Sequence, residues 1–120
     1  MTPEQQTNLR QWITALRSGE YKQGWLYLKS DEGYCCLGVA SVIDPDVILT
    51  PKDEVWEFMY NNDDLWEQQE PSEDWFLRRF GLPVEQMETL VVMNDAEKKS
   101  FLEIADHLET FLHDPVSEAQ

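Results

Sequence analysis

The stretch Trp25–Ile43, WLYLKSDEGYCCLGVASVI, sets the tightest limits on how this chain can fold. Trp25, Tyr27 and Lys29 alternate with Leu26 and Leu28, the two-residue period of a strand. Ser30-Asp31-Glu32-Gly33 is a turn string in which Gly33 is free to take left-handed backbone, and Tyr34-Cys35-Cys36-Leu37 returns the chain. A hairpin this short is marginal alone, so its apolar face must rest on helices. Gly38 permits a switch into a buried helical run over Val39, Ala40, Val42 and Ile43 that stops near Pro45. The expected fold class is therefore α+β, mostly helical, with a short antiparallel β-hairpin at about 24–37 packed on helices.

Helix signals surround this centre. Thr2, Pro3 and Gln5 stand in the order N-cap, N1 and N3; Leu9, Trp12, Ile13 and Leu16 recur at helical spacing, and Gly19 supplies the stop. Arg10 and Arg17 lie near one angular position of that helix. Their expected role is to tether the acidic remainder of the same domain, with an acidic partner as the rival reading. Past Pro71, Ser72 caps a helix carrying Trp75, Phe76 and Phe80 to Gly81, with Arg78 and Arg79 as a basic pair that makes no convincing phosphate site. Pro83 opens a further helix with Met87, Leu90 and Val91 inward, ended by Asn94-Asp95. Ser100 and Glu103 form a capping box before Phe101, Ile104, Ala105, Leu108, Phe111 and Leu112, a helix expected to run to about His113. Residues 1–120 read as one compact domain, with 115–120 as a frayed tail.

Charge narrows the partners. Nine basic residues against twenty-four acidic ones give a formal charge of −15. Phosphate backbones would be repelled, so direct nucleic-acid binding is not expected and a protein partner with a basic surface is favoured. Self-association into a homo-oligomer stays open. Met1–Arg10 is polar and no window approaches the roughly 18 apolar residues of a spanning helix, so no membrane partner is expected and the cytoplasm is the expected location.

The segment 44–74 holds eleven acidic residues against Lys52 alone. Thr50-Pro51-Lys52-Asp53 has a helix-start order, and Val55, Trp56, Met59 and Tyr60 fit one face of a short helix, while the alternation of Trp56, Phe58 and Tyr60 fits a strand. Aromatic residues among carboxylates match an apolar hot spot inside a negative rim. Trp56, Tyr60, Asp63, Asp64, Trp66 and Glu67 are accordingly the candidate protein-binding residues. Carboxylates at phosphate-like separations would also let such a surface compete with nucleic acid for a basic groove. A calcium loop counted from Asn61 fails, because Trp66 stands where a glycine is needed and Ser72 where a glutamate is needed.

Catalytic and cofactor signals are weak. Cys35 and Cys36 lack the spacing of a thiolate metal site, and adjacent cysteines close only a strained disulfide, so both are expected to be free, buried and structural. His107 and His113 are six apart and do not form a zinc pair. No catalytic residue, metal or cofactor is expected. A cysteine enzyme pairing Cys35 or Cys36 with His107 is the remote alternative.

Three blocks carry a resemblance: Ala15-Leu16-Arg17-Ser18-Gly19-Glu20-Tyr21-Lys22-Gln23-Gly24; Gly33-Tyr34-Cys35-Cys36-Leu37-Gly38-Val39; and Met93-Asn94-Asp95 followed by Ser100-Phe101 and Ile104-Ala105-Asp106. In that order they resemble a group of small uncharacterised proteins of bacteriophages and bacterial genomes, in which Leu-Asn-Asp is more usual than Met-Asn-Asp. The resemblance brings no activity. It implies that a phage-encoded chain would act in the host cytoplasm. Asn94 and Asp95 are expected to pin the loop before Ser100 by side-chain to backbone hydrogen bonds. The expected function is a small acidic protein-binding modulator or inhibitor of a basic or nucleic-acid-binding protein. A structural or accessory domain of a larger assembly is the alternative.

Overall fold

The computed structural model describes residues 1–52, 55–60 and 73–112, with 50–52 and 55–60 described by backbone pairing alone. Helix α1 is Pro3–Ser18 and begins with a reciprocal cap. Thr2 Oγ1 accepts from the Gln5 amide at 3.1 Å, and Gln5 Oε1 accepts from the Thr2 amide at 2.8 Å. Gly19 ends it at φ 79°, a conformation that costs glycine nothing. Leu9, Trp12, Ile13 and Leu16 are the buried stripe, as the spacing predicts.

Helix α3, Glu73–Phe80, packs across α1. Trp12 stacks on Phe80 at 4.6 Å between centroids and meets Phe76 edge-on at 6.2 Å, while Trp75 meets Phe80 at 5.8 Å. Truncating a fully buried ring of this kind to alanine costs about 3–5 kcal/mol. The end of α3 exposes carbonyls that its own ladder cannot satisfy. Two amides of α1 cap them: Gln5 Nε2 donates to Arg78 O at 3.0 Å and Asn8 Nδ2 to Arg79 O at 2.9 Å. Helix α5, Phe101–Glu109, lies along α1 and carries the predicted Ser100–Glu103 box. It stops at Glu109 rather than near His113, because Thr110 and Phe111 turn back onto the carbonyls of His107 and Leu108. Arg17 bridges Asp106 at 2.7 Å and Glu109 at 3.0 Å, so its tethering role is the one observed.

The hairpin is shorter than its sequence signal. Strands β1, Lys29–Ser30, and β2, Gly33–Tyr34, pair antiparallel, while Trp25–Leu28 bends instead of extending. The cause is Leu26, whose φ of 78° breaks the strand. Lys22–Gly24 covers the other edge of β2: the Gly24 amide donates to Tyr34 O at 2.7 Å and the Tyr34 amide to Lys22 O at 2.8 Å. Gly33 makes this approach possible, since a Cβ there would lie 2.3 Å from Lys22 O. Helix α2, Cys36–Val42, starts before the expected switch at Gly38 because Cys35 is its N-cap, with Sγ accepting the Gly38 amide at 3.4 Å. A Cβ on Gly38 would sit 1.8 Å from Leu28 O, so α2 and the hairpin meet backbone to backbone.

Strands β3, Val47–Lys52, and β4, Val55–Tyr60, form a second antiparallel hairpin, completing a sheet of order β2-β1-β4-β3. The helix reading of 55–60 is thereby replaced by the strand reading, and Thr50-Pro51 belongs to β3 rather than to a helix start. Pro51 is tolerated because β3 is an edge strand, where a missing N–H need not interrupt a ladder on both sides.

Asp44 closes the turn between α2 and β3 from inside. Its buried carboxylate accepts from Trp75 Nε1 at 2.7 Å and from the Asp46 amide at 2.9 Å, with Arg79 Nη1 at 3.5 Å. This locks the sheet side of the molecule to α3.

Candidate functional site

Helix α4, Glu85–Val91, does not end at Asn94-Asp95 as the sequence suggests. It widens into a π-helical turn over Val92–Ala96, closed by the Glu97 amide on Val92 O at 2.8 Å. Such turns insert one residue into a helix and frequently mark functional positions. Here the extra residue rotates Asn94 wholly into the interior.

Asn94 joins three segments. Its Oδ1 accepts from Gln23 Nε2 at 3.0 Å and from the Cys36 amide at 3.3 Å; its Nδ2 donates to Gly24 O at 3.0 Å and to Asp95 Oδ1 at 2.8 Å. Both lone-pair directions and both amide hydrogens are used, which is what a buried carboxamide requires. Asp95 Oδ1 then accepts the Leu26 amide at 2.9 Å, and Gln23 Nε2 also donates to Lys99 O at 2.7 Å. The pinned element is therefore principally the loop at 23–26 and the start of α2. From this side-chain network, the Gln23–Lys99 bond is the one that reaches the loop before Ser100 among the described residues.

The network holds Leu26 in an unfavourable state. Its positive φ costs a non-glycine residue about 1–2 kcal/mol, yet the side chain is 72% exposed and gains little burial in return. Lys98, the second non-glycine residue at positive φ among the described residues, places Nζ 4.8 Å from the Trp25 ring centroid. Tyr27 is also exposed. On its outer side the π-helical turn contributes Val92, Met93 and Glu97, with Glu88 and Thr89 of α4, to an open depression of about 440 Å³. One segment thus fixes an apolar tip from inside and lines a depression outside.

The aromatic and acidic candidates are only partly placed. Trp56 and Tyr60 lie on β4, opposite Pro51 and Val47 in register. Asp63, Asp64, Trp66 and Glu67 lie outside the described residues. Leu26 is not among the sequence candidates, since a leucine within an alternating run reads as strand; the Asn94-Asp95 pair reads as a pinning motif for the loop before Ser100, not for Leu26.

The thiols are poor nucleophiles. Cys36 is fully buried and directed at Leu90 O, 3.7 Å away, and burial pushes its pKa well up. Burial likewise pushes Cys35 up to about 12, against a smaller lowering by the Gly38 amide. His107 Nε2 instead meets Gln86 Oε1 at 3.0 Å. Among the described residues no cluster of three or more His, Cys, Asp or Glu side chains is arranged to hold a metal, and no helix is long and apolar enough to cross a membrane.

Compared with protein families, residues 5–112 match the domain of unknown function DUF8296. The chain belongs to that family. The match runs from the Gln5 cap of α1 to the residues just beyond α5, so every element of the DUF8296 chain described above lies inside it except the first turn of α1. No curated protein and no solved structure matches the chain.

Proposed function

We propose that this DUF8296 domain works by binding another protein, as a small acidic modulator or inhibitor of a partner with a basic surface. The observation that carries the reading is Leu26: an exposed leucine on left-handed backbone, held there by Asp95 and the buried Asn94 beside it. The leucine side chain itself gains little burial from that display, although the polar network beneath it stabilises the fold. Exposed apolar residues held rigid are the usual anchors of protein recognition, because little freedom is lost on docking. The charge of −15 supports a basic partner and rapid, salt-sensitive association. Inhibition would follow where that basic surface normally holds nucleic acid. The segment with Trp56, Tyr60, Asp63, Asp64, Trp66 and Glu67 belongs to the proposed surface on composition and charge.

The test is affinity capture from native extract of the source organism at low and high salt, with wild type and Leu26→Gly side by side. Glycine accepts the positive φ, so this variant keeps the fold while deleting the tip. The expected result is a saturable stoichiometric partner, released at high salt and lost by Leu26→Gly. Absence of any saturable partner at low salt sinks the reading, and undiminished capture by Leu26→Gly removes Leu26 from it.

A further inference from the structure

The geometry points to the depression on the π-helical turn as a docking groove for a basic, leucine-bearing peptide segment of the partner, an inference that rests on the protein-binding reading above. Val92 is 48% exposed and Met93 half-buried, so the floor is apolar and adaptable. Glu88 and Glu97 flank that floor, both exposed, and neither is hydrogen-bonded or ion-paired through its side chain among the described residues. Thr89 is already turned back onto Glu85 O at 3.2 Å, leaving the solvated carboxylates as the polar groups at the rim that a partner can reach. An apolar side chain flanked by lysine or arginine satisfies both floor and rim. An acidic peptide, a nucleic acid or an anionic lipid surface meets the same carboxylates with like charge. The groove and the displayed loop share one segment of backbone, since Val92 and Met93 of the lining directly precede Asn94 and Asp95. A partner seated in it would lie against the segment that holds Leu26.

The probe is an eight-residue peptide alternating arginine and leucine, titrated into the full-length, isotope-labelled protein and followed by amide chemical shifts. Controls are an arginine–serine and a glutamate–leucine peptide. Expected are saturable shifts concentrated on residues 88–97, with affinity reduced about tenfold by Val92→Ser, which removes one exposed apolar contact, and reduced similarly by Glu88→Gln with Glu97→Gln. Both sites are exposed, so these variants retain the fold. The inference is overturned if the arginine–serine peptide binds equally well, if shifts scatter over the acidic surface, or if Val92→Ser binds unchanged. Should the groove fail while Leu26→Gly still abolishes capture, the protein-binding reading stands without the groove. Loss of both removes the two together.

Discussion

Replacing Asn94 tests the polar network that shapes the site. In Asn94→Ala, Gln23 Nε2 keeps Lys99 O and the Leu26 amide keeps Asp95, but Gly24 O and the Cys36 amide lose their partner inside the protein. Each orphaned buried group costs about 1–3 kcal/mol, so about 2–6 kcal/mol is expected in all, against a total of about 5–15 kcal/mol for a typical domain. Asn94→Asp separates polarity from volume. It keeps shape and acceptor, loses both donors, and sets a carboxylate against Asp95 in the interior. Desolvation and like charge raise its folded pKa above the unfolded one. The folded state then holds that proton more tightly, so stability recovers as pH falls through the raised value and is lost as pH rises. Urea unfolding followed by tryptophan fluorescence, between pH 5 and 8, reads both effects. A loss below about 1 kcal/mol for Asn94→Ala, or an Asn94→Asp variant with the pH dependence of wild type, would refute the assignment of Asn94 as the organising group.

Gly38→Ala forces a Cβ into the Leu28 carbonyl and is expected to lose 3 kcal/mol or more, of order the large overpacking costs seen in cores; a cooperative thermal transition at the wild-type temperature would contradict the close approach. Arg17→Ala breaks two ion pairs to exposed carboxylates and should cost about 1 kcal/mol or less, shrinking further in high salt; a larger, salt-independent loss would show that the guanidinium does more than tether. Thiol labelling of the native protein should be slow at pH 8 and limited by unfolding, because both thiols are buried and burial pushes the Cys35 pKa up to about 12. Being raised, this pKa contributes stability below the unfolded thiol value that is lost as pH climbs toward 12, so rapid stoichiometric labelling under native conditions would overturn the burial argument.

Much of this fold is written locally. The caps at Thr2 and Ser100, the stripe from Leu9 to Leu16 and the stop at Gly19 are short-range signals, and each forms where its residues predict. The errors fall where tertiary partners override local pattern. Trp25–Leu28 alternates like a strand, yet Asp95, far along the chain, captures the Leu26 amide and bends it. Residues 55–60 fit either period, and pairing with 47–52 decides for strand. Cys35 caps α2 with sulfur, a weak acceptor outside the usual capping residues. The Asn94-Asp95 motif was visible as a pinning pair, but its target was not, because nothing local reveals which loop a buried side chain will reach. Nothing in the sequence separates Asp44 from the acidic residues around it, although it is buried and locks α3 to the sheet side.

Three of the bonds that shape Leu26 are long in sequence: 58 residues separate Cys36 from Asn94, 69 separate Leu26 from Asp95, and 70 separate Gly24 from Asn94. Closing loops of that length costs entropy that is recovered only when many contacts form together. The conformation of the tip therefore requires segments from both halves of the chain to be in place together. A chain still emerging from synthesis, or one cut between the two hairpins, carries the letters Trp25-Leu26-Tyr27 without the conformation. Under the protein-binding function proposed above, competence to bind becomes a readout of complete assembly, and partly made or damaged copies would not compete with intact ones for the same partner.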